Sequence, residues 1–388
     1  MPLSPDPRHP LAGVRVLDAS RILAGPFCGQ LLADLGADVV KLERPGTGDD
    51  TRGWGPPYAG PLSAYFLSCN RNKRSIAVDV ATDDGKRTLD QLLSKADVLI
   101  ENYRTDSLPK LGLEPDKLLA KHPRLIVCSI SGFGRTGPMK DEPGYDFAIQ
   151  AMSGLMGITG PKDGPPSKVG VAVADVLTGL YASTSILACL HARLTSGHGY
   201  AIDLALLDCA LAAQVNLAQA YLTTGTVPPR QGNAHLQIVP YQLFPTADGW
   251  IVLAVGNDSQ WQSFCSAAKA MELGADRRYL TNRERVERRD EFVPKVEAVM
   301  RTRPTAEWER LLTDANVPHA AVADYAGVFA SEQIAARAMK TSVTGPDGTP
   351  ISLIGNPIKL TGAPTATPTR PPLLGEHTAE VLKDWGVK

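Results

Sequence analysis

The N-terminal half of the chain alternates short apolar segments with segments of helical pattern, and this alternation restricts the possible folds more than any other feature. Segments such as GVRVLD (13–18), ADVVKL (37–42) and LIVCSI (125–130) are apolar along most or all of their length. Strands of this kind, joined by helices, are typical of a parallel sheet that is covered on both faces. Because parallel crossovers are right-handed, the pattern predicts an α/β domain with a Rossmann-like open sheet.

The pattern changes after residue 222, where the turn-rich stretch TTGTVPPRQ (223–231) begins. A hairpin around Thr246-Ala-Asp-Gly and several amphipathic helices then indicate a smaller α+β domain. A proline-rich linker (364–372) precedes a short final helix. We therefore predict a large domain over residues 1–222, a small domain over 223–340 and a C-terminal segment over 341–388.

Composition excludes several classes of function. The 388 residues carry a net charge of −1, so no basic field exists to hold nucleic acid or an anionic membrane, and neither is expected as a partner. No apolar run approaches the ~20 residues that span a bilayer, and the start of the chain shows no secretory or Arg-rich leader. We expect a cytoplasmic protein with six free, mostly buried cysteine thiols and no metal site.

Polar clusters lie at the ends of the predicted strands, where ligands bind in open α/β sheets. They contain the cations Arg44, Arg71, Lys73, Arg74, Arg104 and Lys110. Each alone is most simply a solvated surface charge, but together, in a near-neutral chain, they predict an anion site suited to an adenosine phosphate with a pyrophosphate. The chain has neither a G-x-G-x-x-G after its first strand nor a Walker loop, so the usual nucleotide cradles are missing.

Asp175 begins a largely apolar helix predicted over residues 175–194, which should be internal because it is apolar or small on nearly every side. The simplest interpretation of Asp175 is a helix N-cap. The functional alternative is a carboxylate nucleophile in a pocket. A helix N-terminus favours the ionised carboxylate, so we expect Asp175 to be charged at neutral pH.

The order and separation of several motifs resemble those of the family III CoA transferases, which include formyl-CoA transferase, carnitine CoA transferase and alpha-methylacyl-CoA racemase. The motifs are LAGVRVLD (11–18), GADVVKLERPG (36–46), NKRS (72–75), ENY (101–103) and PLLGEHT (372–378). The resemblance implies an interlocked homodimer of two ring-shaped subunits, with Asp175 at the position of the aspartate nucleophile. It places Arg44, Lys73, Asn102 and Tyr103 along the CoA groove and Asp146 near the acyl site. From the strand-end clusters we add Leu23, Ala24, Arg74, Arg104 and Lys110 as CoA-binding candidates.

The same resemblance implies a reaction in which CoA thioesters are substrates and no cofactor is required. Within the family, the chain is most similar to enzymes that move CoA from succinyl-CoA to a short dicarboxylate such as glutarate or itaconate. The candidates for anchoring such an acceptor are Arg21, Arg230, His235, Tyr145 and Gln242. Two alternatives stay open: an acyl-CoA racemase or isomerase, which Tyr145 disfavours because a histidine base is expected there, and a CoA-binding homologue without catalytic activity.

Overall fold

The computed structural model describes residues 6–387, so the first five residues, which contribute to the expectation of a cytoplasmic protein, lie outside it. The chain divides into two compact units. The first comprises residues 6–155, 168–226 and 332–387, and the second comprises 156–167 and 227–331. The predicted boundaries follow residues 222 and 340, whereas the units change after residues 226 and 331. The segment 156–167, which we had predicted in the large domain, belongs to the second unit.

Short strands form at the apolar segments of the sequence. They are β1 (Arg15–Asp18), β2 (Asp38–Glu43), β3 (Tyr58–Ala59), β4 (Leu62–Ser63), β5 (Lys73–Ala77), β6 (Val98–Glu101), β7 (Ile126–Ser131), β8 (Tyr200–Ala205), β9 (Tyr241–Pro245), β10 (Trp250–Ala254), β11 (His319–Ala321), β12 (Lys340–Thr344) and β13 (Pro350–Ile354).

The first unit is built on a parallel sheet of six strands in the order β5-β2-β1-β6-β7-β8. The predicted open α/β sheet is therefore confirmed. The strand order runs outward in both directions from the adjacent pair β1 and β6, in which Asp18 lies opposite Ile100. In sheets of this topology the crevice at the carboxyl ends of such a central pair is where ligands bind.

Helices connect the strands in both units. They are α1 (Ala24–Asp34), α2 (Ala64–Cys69), α3 (Asp83–Leu93), α4 (Leu108–Leu111), α5 (Pro115–Lys121), α6 (Asp146–Met152), α7 (Leu155–Ile158), α8 (Val173–Ser196), α9 (Leu206–Ala212), α10 (Val215–Thr224), α11 (Asp258–Ala268), α12 (Met271–Ala275), α13 (Asn282–Glu287), α14 (Arg289–Met300), α15 (Thr305–Asp314), α16 (Tyr325–Ala330), α17 (Glu332–Ala336) and α18 (Thr378–Asp384).

Successive residues of the central strands point to opposite faces of the sheet and pack into two separate hydrophobic cores. Val16 and Val39 pack with residues of α1, α8 and α9 on one face, and Leu17 and Val40 pack with residues of α3, α5 and α18 on the other. The C-terminal segment thus returns to the sheet. Trp385 is buried there and donates a hydrogen bond from Nε1 to Asp38 at 2.9 Å.

Helix α8 corrects two expectations. Its 24 residues are long and apolar enough to cross a membrane by length and composition alone, although core helices of soluble proteins pass the same test. It is also not internal on every side in the single chain. One face packs against α1 and α9, but Leu180, Tyr181, Leu187 and Leu194 are exposed. An all-apolar helix pattern shows that both faces need cover, but it does not show which chain supplies that cover.

The second unit contains the antiparallel sheet β11-β10-β9, whose hairpin β9–β10 was predicted. An aromatic core formed by Trp261, Phe264, Phe292 and Trp308 lies beneath this sheet and the helices of the unit. The predicted α+β character is confirmed. All six cysteines of the chain are free thiols, and all except the partly exposed Cys189 are buried.

Candidate active site

Asp175 lies in the first turn of α8, and the backbone N–H of Ala24 at the start of α1 lies beside its carboxylate and favours its ionised form. The two helices approach closely because residue 179, one turn after Asp175, is glycine. A Cβ on Gly179 would lie 2.8 Å from the carbonyl oxygen of Ala24 and 3.0 Å from the ring of Phe27. The small residue therefore permits the contact between α8 and the start of α1 that fixes the carboxylate against a backbone amide.

The charge state of Asp175 differs from the expectation. Burial, reinforced by the nearby carboxylate of Asp146, raises the pKa of Asp175 to about 7, although the Ala24 N–H opposes the shift. Desolvation and a like charge disfavour the ionised form, and here they outweigh the helix N-terminus. At neutral pH the carboxyl group is therefore about half ionised rather than fully charged.

Asp146, not Asp175, caps the start of α8. The residue in the N-cap position is Ala172, and Asp146 Oδ1 accepts the backbone N–H of Ala174 at 2.8 Å. Gln150 donates to the other oxygen of Asp146 at 2.7 Å and accepts the N–H of Val169 at 2.9 Å. The N-cap interpretation of Asp175 is thus wrong, and its carboxylate is left free for chemistry.

A cleft of about 540 Å³ opens at the carboxyl ends of β1, β2, β5 and β6. Its cationic lining residues are Arg21, Lys41, Arg44, Lys86, Arg104 and Lys110, and Asn102 and Tyr103 contribute to its wall. This is the sheet edge at which we predicted an anion site. Arg21 is paired with Asp50 at 2.7 Å and Arg104 with Asp106 at 3.2 Å, whereas Arg44 is exposed.

Three of the predicted cations do not line this cleft. Arg71, Lys73 and Arg74 lie at the amino end of β5. The cleft is lined instead by residues 78–81, which follow the carboxyl end of that strand. Arg71 pairs with Asp34 on α1. Arg74 pairs with Asp38, Glu380 and Asp384 and holds the C-terminal helix. A parallel strand presents its two ends at opposite edges of the sheet, which the clustering argument overlooked.

Lys73 is fully buried, and its ammonium group donates to Asp18, to the carbonyl oxygen of Pro26 and to Asn70 at 2.7–2.9 Å. All three donors are therefore occupied inside the protein, and the placement of Lys73 in the CoA groove is corrected. Leu23 occupies the N-cap position of α1 and, with Ala24, belongs to the segment against Asp175 rather than to the cleft lining.

The remaining acceptor candidates are divided between the two units. Tyr145 is 68% exposed at the N-cap of α6 in the first unit. In the second unit, Arg230 donates to the carbonyl oxygens of Pro161 and Gly164. His235 packs edge-on against the ring of Tyr241 at 5.5 Å. Gln242 lies partly exposed on β9.

Sequence reasoning missed Tyr65 on α2 and Lys86 on α3. Burial and the negative charges of Asp175, Asp146 and Asp49 raise the pKa of Tyr65 to about 12, which keeps its phenol protonated beside the carboxyl pair. Nothing in the local sequence signals this residue. Lys86 was recognisable only as one polar residue of an amphipathic helix, and the fold alone brings it to the cleft.

The sequence model of CoA-transferase family III matches residues 11–378. The chain belongs to this family. It is therefore a family III CoA-transferase, and the enzyme class predicted from the motifs is confirmed.

Relatives of this family III CoA-transferase include enzymes acting on dicarboxylates. It is 43% identical to a succinate–glutarate CoA-transferase of Agrobacterium fabrum, covering 98% of this chain and 96% of that one. It is 38% identical to a succinyl-CoA:mesaconate CoA-transferase of Haloarcula hispanica over 97% and 96% of the two chains. A crystal structure of a CaiB/BaiF family protein from Brucella suis is 42% identical, with a TM-score of 0.86 over 97% and 99% of the chains.

We predict that the activity of this CoA-transferase rises with pH through the pKa of Asp175. As the predicted nucleophile, Asp175 would attack a thioester only as its carboxylate, and its pKa is about 7, so kcat/KM for the acyl-CoA should fall about tenfold per pH unit below that value. Replacement Asp146→Asn removes the like charge, and the acidic limb should move to lower pH. Measurement of kcat/KM from pH 5 to pH 9 tests both statements; an unchanged limb in the variant would show that Asp146 does not act on Asp175.

Proposed function

We propose that this enzyme transfers CoA from succinyl-CoA to a short dicarboxylate through covalent intermediates on Asp175. The observation that carries the proposal is the Asp175 carboxylate itself. It is largely withdrawn from water, it is not used as a helix cap, and the backbone N–H of Ala24 favours its ionised form. A carboxylate in this setting is suited to attack a thioester carbonyl and to form an acyl intermediate that water does not reach freely.

The proposed reaction consists of balanced acyl transfers. The Asp175 carboxylate attacks the thioester carbonyl, the C–S bond breaks, and CoA leaves as a thiolate from a mixed anhydride. The thiolate then attacks the aspartyl carbonyl of the anhydride, releasing succinate and leaving an aspartyl-CoA thioester. The acceptor carboxylate displaces the thiolate to form a second anhydride. The thiolate finally attacks the acceptor's carbonyl, which gives the new acyl-CoA and regenerates Asp175.

Each of these steps exchanges a carboxylate and a thiolate at a carbonyl carbon, so the sequence needs neither a metal ion nor a redox cofactor. Negative charge develops on a carbonyl oxygen at every step. We expect the Ala24 N–H, which favours the ionised form of Asp175, to donate to the aspartyl oxygen as that charge develops. The protonated phenol of Tyr65 is a second donor near the same carboxyl pair.

The cleft at the carboxyl edge of the sheet would hold the nucleotide part of CoA. It presents Arg44, Lys86, Arg104 and Lys110 around a volume of about 540 Å³. Phosphate groups are bound well by such cations. The segment 19–24 connects this cleft to Asp175, because Arg21 lines the cleft and Ala24 contacts the nucleophile.

We predict that Arg44→Ala raises the KM for succinyl-CoA about tenfold and changes kcat little, because it removes a contact made equally in the ground state and the transition state. Arg74→Ala is the matched control. Arg74 is another arginine of the predicted cluster, but it binds carboxylates of the sheet and of α18 instead of lining the cleft. Steady-state kinetics with succinyl-CoA varied should leave the control's KM unchanged. An effect on the acceptor's KM alone would remove Arg44 from the nucleotide site.

The acceptor is proposed to be a dicarboxylate, as the names of the relatives suggest, and its far carboxylate requires a cation. The structure adds a candidate in the first unit. Lys168 is exposed, and its Nζ lies 5.9 Å from the ring centroid of Phe147. The N–H of the adjacent Val169 donates to Gln150, and the side chain of Gln150 also donates to Asp146. Among residues 6–387, no carboxylate forms an ion pair with Lys168.

The test of the proposed activity is a panel of short acids incubated with succinyl-CoA, with the CoA products identified by mass. We expect glutaryl-CoA or a related dicarboxyl-CoA to form while succinate is released in equal amount. Formation of free CoA without any acyl-CoA product would identify a hydrolase. Loss of the α-proton of a branched acyl-CoA to solvent, without transfer, would identify the racemase alternative.

A homodimer and a cytoplasmic location belong to the same proposal. The exposed apolar side chains of α8 to α10, which include Leu194, Leu211 and Leu222, form a surface that a second subunit would cover. Sedimentation at micromolar concentration should give about twice the mass of one 41.4 kDa chain. A monomer at that concentration would contradict the dimer.

A further inference from the structure

The segment that carries Ala24 includes a residue with unfavourable backbone geometry. Ile22 has a φ of +73°, a region that β-branched residues almost never adopt, because the side chain then crowds the backbone. Such a conformation persists only where surrounding contacts determine it. The question is which contacts hold the segment 20–26, since its position decides where the Ala24 N–H points.

The backbone of the segment is held by groups that come from the sheet. The ammonium of Lys73 donates to the carbonyl oxygen of Pro26 at 2.7 Å, and that of Lys41 donates to the carbonyl oxygen of Ser20 at 2.9 Å. Asn102 binds both the N–H and the carbonyl oxygen of Arg21, each at 2.9 Å. The two lysines thus bind the segment at Ser20 and at Pro26, on either side of Ile22 and Ala24.

The two lysines share a set of buried carboxylates. Lys73 pairs with Asp18 at 2.8 Å and Lys41 with Asp49 at 2.9 Å, and all four side chains have no exposed surface. Asp18 also accepts the N–H and the hydroxyl of Ser20. A Cβ added to Gly25 would lie 2.2 Å from the Ser20 hydroxyl oxygen, so the turn is closed tightly over this cluster. Removal of one partner would leave a buried charge without compensation.

We infer that Lys73, fixed by Asp18, is a positioning residue that sets the Ala24 N–H against the carboxylate of Asp175. This inference rests on the proposed role of Asp175. Lys73 was predicted to contact CoA. In this assignment it acts instead by binding the backbone carbonyl of Pro26. Lys73 touches no substrate in this assignment, because its three donors are used inside the protein.

The test is Lys73→Met, with the double variant Asp18→Asn/Lys73→Met as a second form that leaves no unpaired carboxylate at residue 18. We expect kcat for CoA transfer to fall about 10²-fold, since displacement of a reacting group by ~1 Å can cost that much. The KM for succinyl-CoA should change less than about threefold, because the cleft is intact. Lys73→Arg should not restore kcat, since a guanidinium does not fit three acceptors spaced for an ammonium.

The pH profile separates positioning from general destabilisation. The Ala24 N–H lowers the pKa of Asp175, whereas burial and Asp146 raise it, and both carboxylates act on the phenol of Tyr65 and raise its pKa. Loss of the N–H contact should move the acidic limb of kcat/KM to higher pH. Arg71→Met is the control. Arg71 lies two residues before Lys73 in the sequence and forms a buried ion pair with Asp34, as Lys73 does with Asp18. Arg71 differs in donating to the carbonyl oxygen of Ile354 and not to the segment 20–26.

The outcomes are distinguishable. The inference is supported if the acidic limb of kcat/KM moves to higher pH and kcat falls in the Lys73 variants, with neither change in Arg71→Met. Equal changes in both, in step with their melting temperatures, or an unchanged limb in both Lys73 variants, overturns it. If the unaltered enzyme transfers no CoA, or if Asp175→Ala retains transfer, the proposed function itself has failed.

Discussion

Asp175→Ala is expected to lower the rate of CoA transfer by at least about 10⁴-fold, because each proposed intermediate is an acyl derivative of that carboxylate. The variant should still bind CoA with nearly unchanged affinity. The cationic residues of the cleft lie on β2, on the loops after β1, β2 and β6 and on α3 and α4, whereas Asp175 lies in the first turn of α8. Initial rates of glutaryl-CoA formation and equilibrium binding of CoA measure the two quantities separately.

A chemical trap tests the covalent step directly. Incubation with succinyl-CoA and hydroxylamine should convert Asp175 to its hydroxamate, and peptide mass spectrometry should find the modification at residue 175 and not at Asp146. Asp146 is the matched control, since it is the neighbouring carboxylate but its two oxygens are occupied by Ala174 and Gln150. Full transfer activity in Asp175→Ala, or a hydroxamate on Asp146, would refute the assignment of the nucleophile.

Glutarate is expected to be a better acceptor than valerate by about 10²-fold in kcat/KM. The two acids have the same number of carbons, so the comparison isolates the second carboxylate, and charge-assisted hydrogen bonds of this kind contribute about 10- to 100-fold. The neighbourhood of Asp175 already contains the negative charge of Asp146. A doubly charged acceptor therefore needs a compensating cation at a distance of several ångströms from the nucleophile.

Lys168→Met should remove most of this preference by slowing glutarate while leaving valerate unchanged. Lys295→Met is a control at an exposed lysine of the second unit, on α14. The same comparison with Arg21→Ala, Arg230→Ala and His235→Ala assigns the anchor among the candidates from the sequence. Equal catalytic efficiency of the unaltered enzyme for glutarate and valerate would exclude a dicarboxylate site and favour a monocarboxylate acceptor.

Several features of this protein were predictable because they depend on local pattern. Apolar strands separated by helices require a covered parallel sheet, and the strands found match that reading in order and position. Motifs at consistent separations likewise identified CoA-transferase family III. Strand-end loops do form a cleft, which Arg44, Arg104 and Lys110 line, and the binding of an anion there stays a prediction.

The same reasoning erred where the answer depends on three-dimensional proximity. Arg71, Lys73 and Arg74 are close in sequence to the strand-end loops, but they lie at the opposite edge of the sheet, since strand direction decides which end faces the cleft. The pKa of Asp175 could not be predicted from its place in a helix, because burial and Asp146, 29 positions away along the chain, determine it.

The sequence alone therefore determined the order of the main strands and helices and the family, since each is encoded in periodicity or in a run of neighbouring residues, and the resemblance to that family indicated Asp175 as the candidate nucleophile. Only the tertiary structure decided how that nucleophile is ionised, which amide binds it and which lysine is available to a ligand. These properties arise from desolvation and from contacts such as Lys73 with Pro26 and Asp175 with Ala24, which join residues that the sequence keeps far apart.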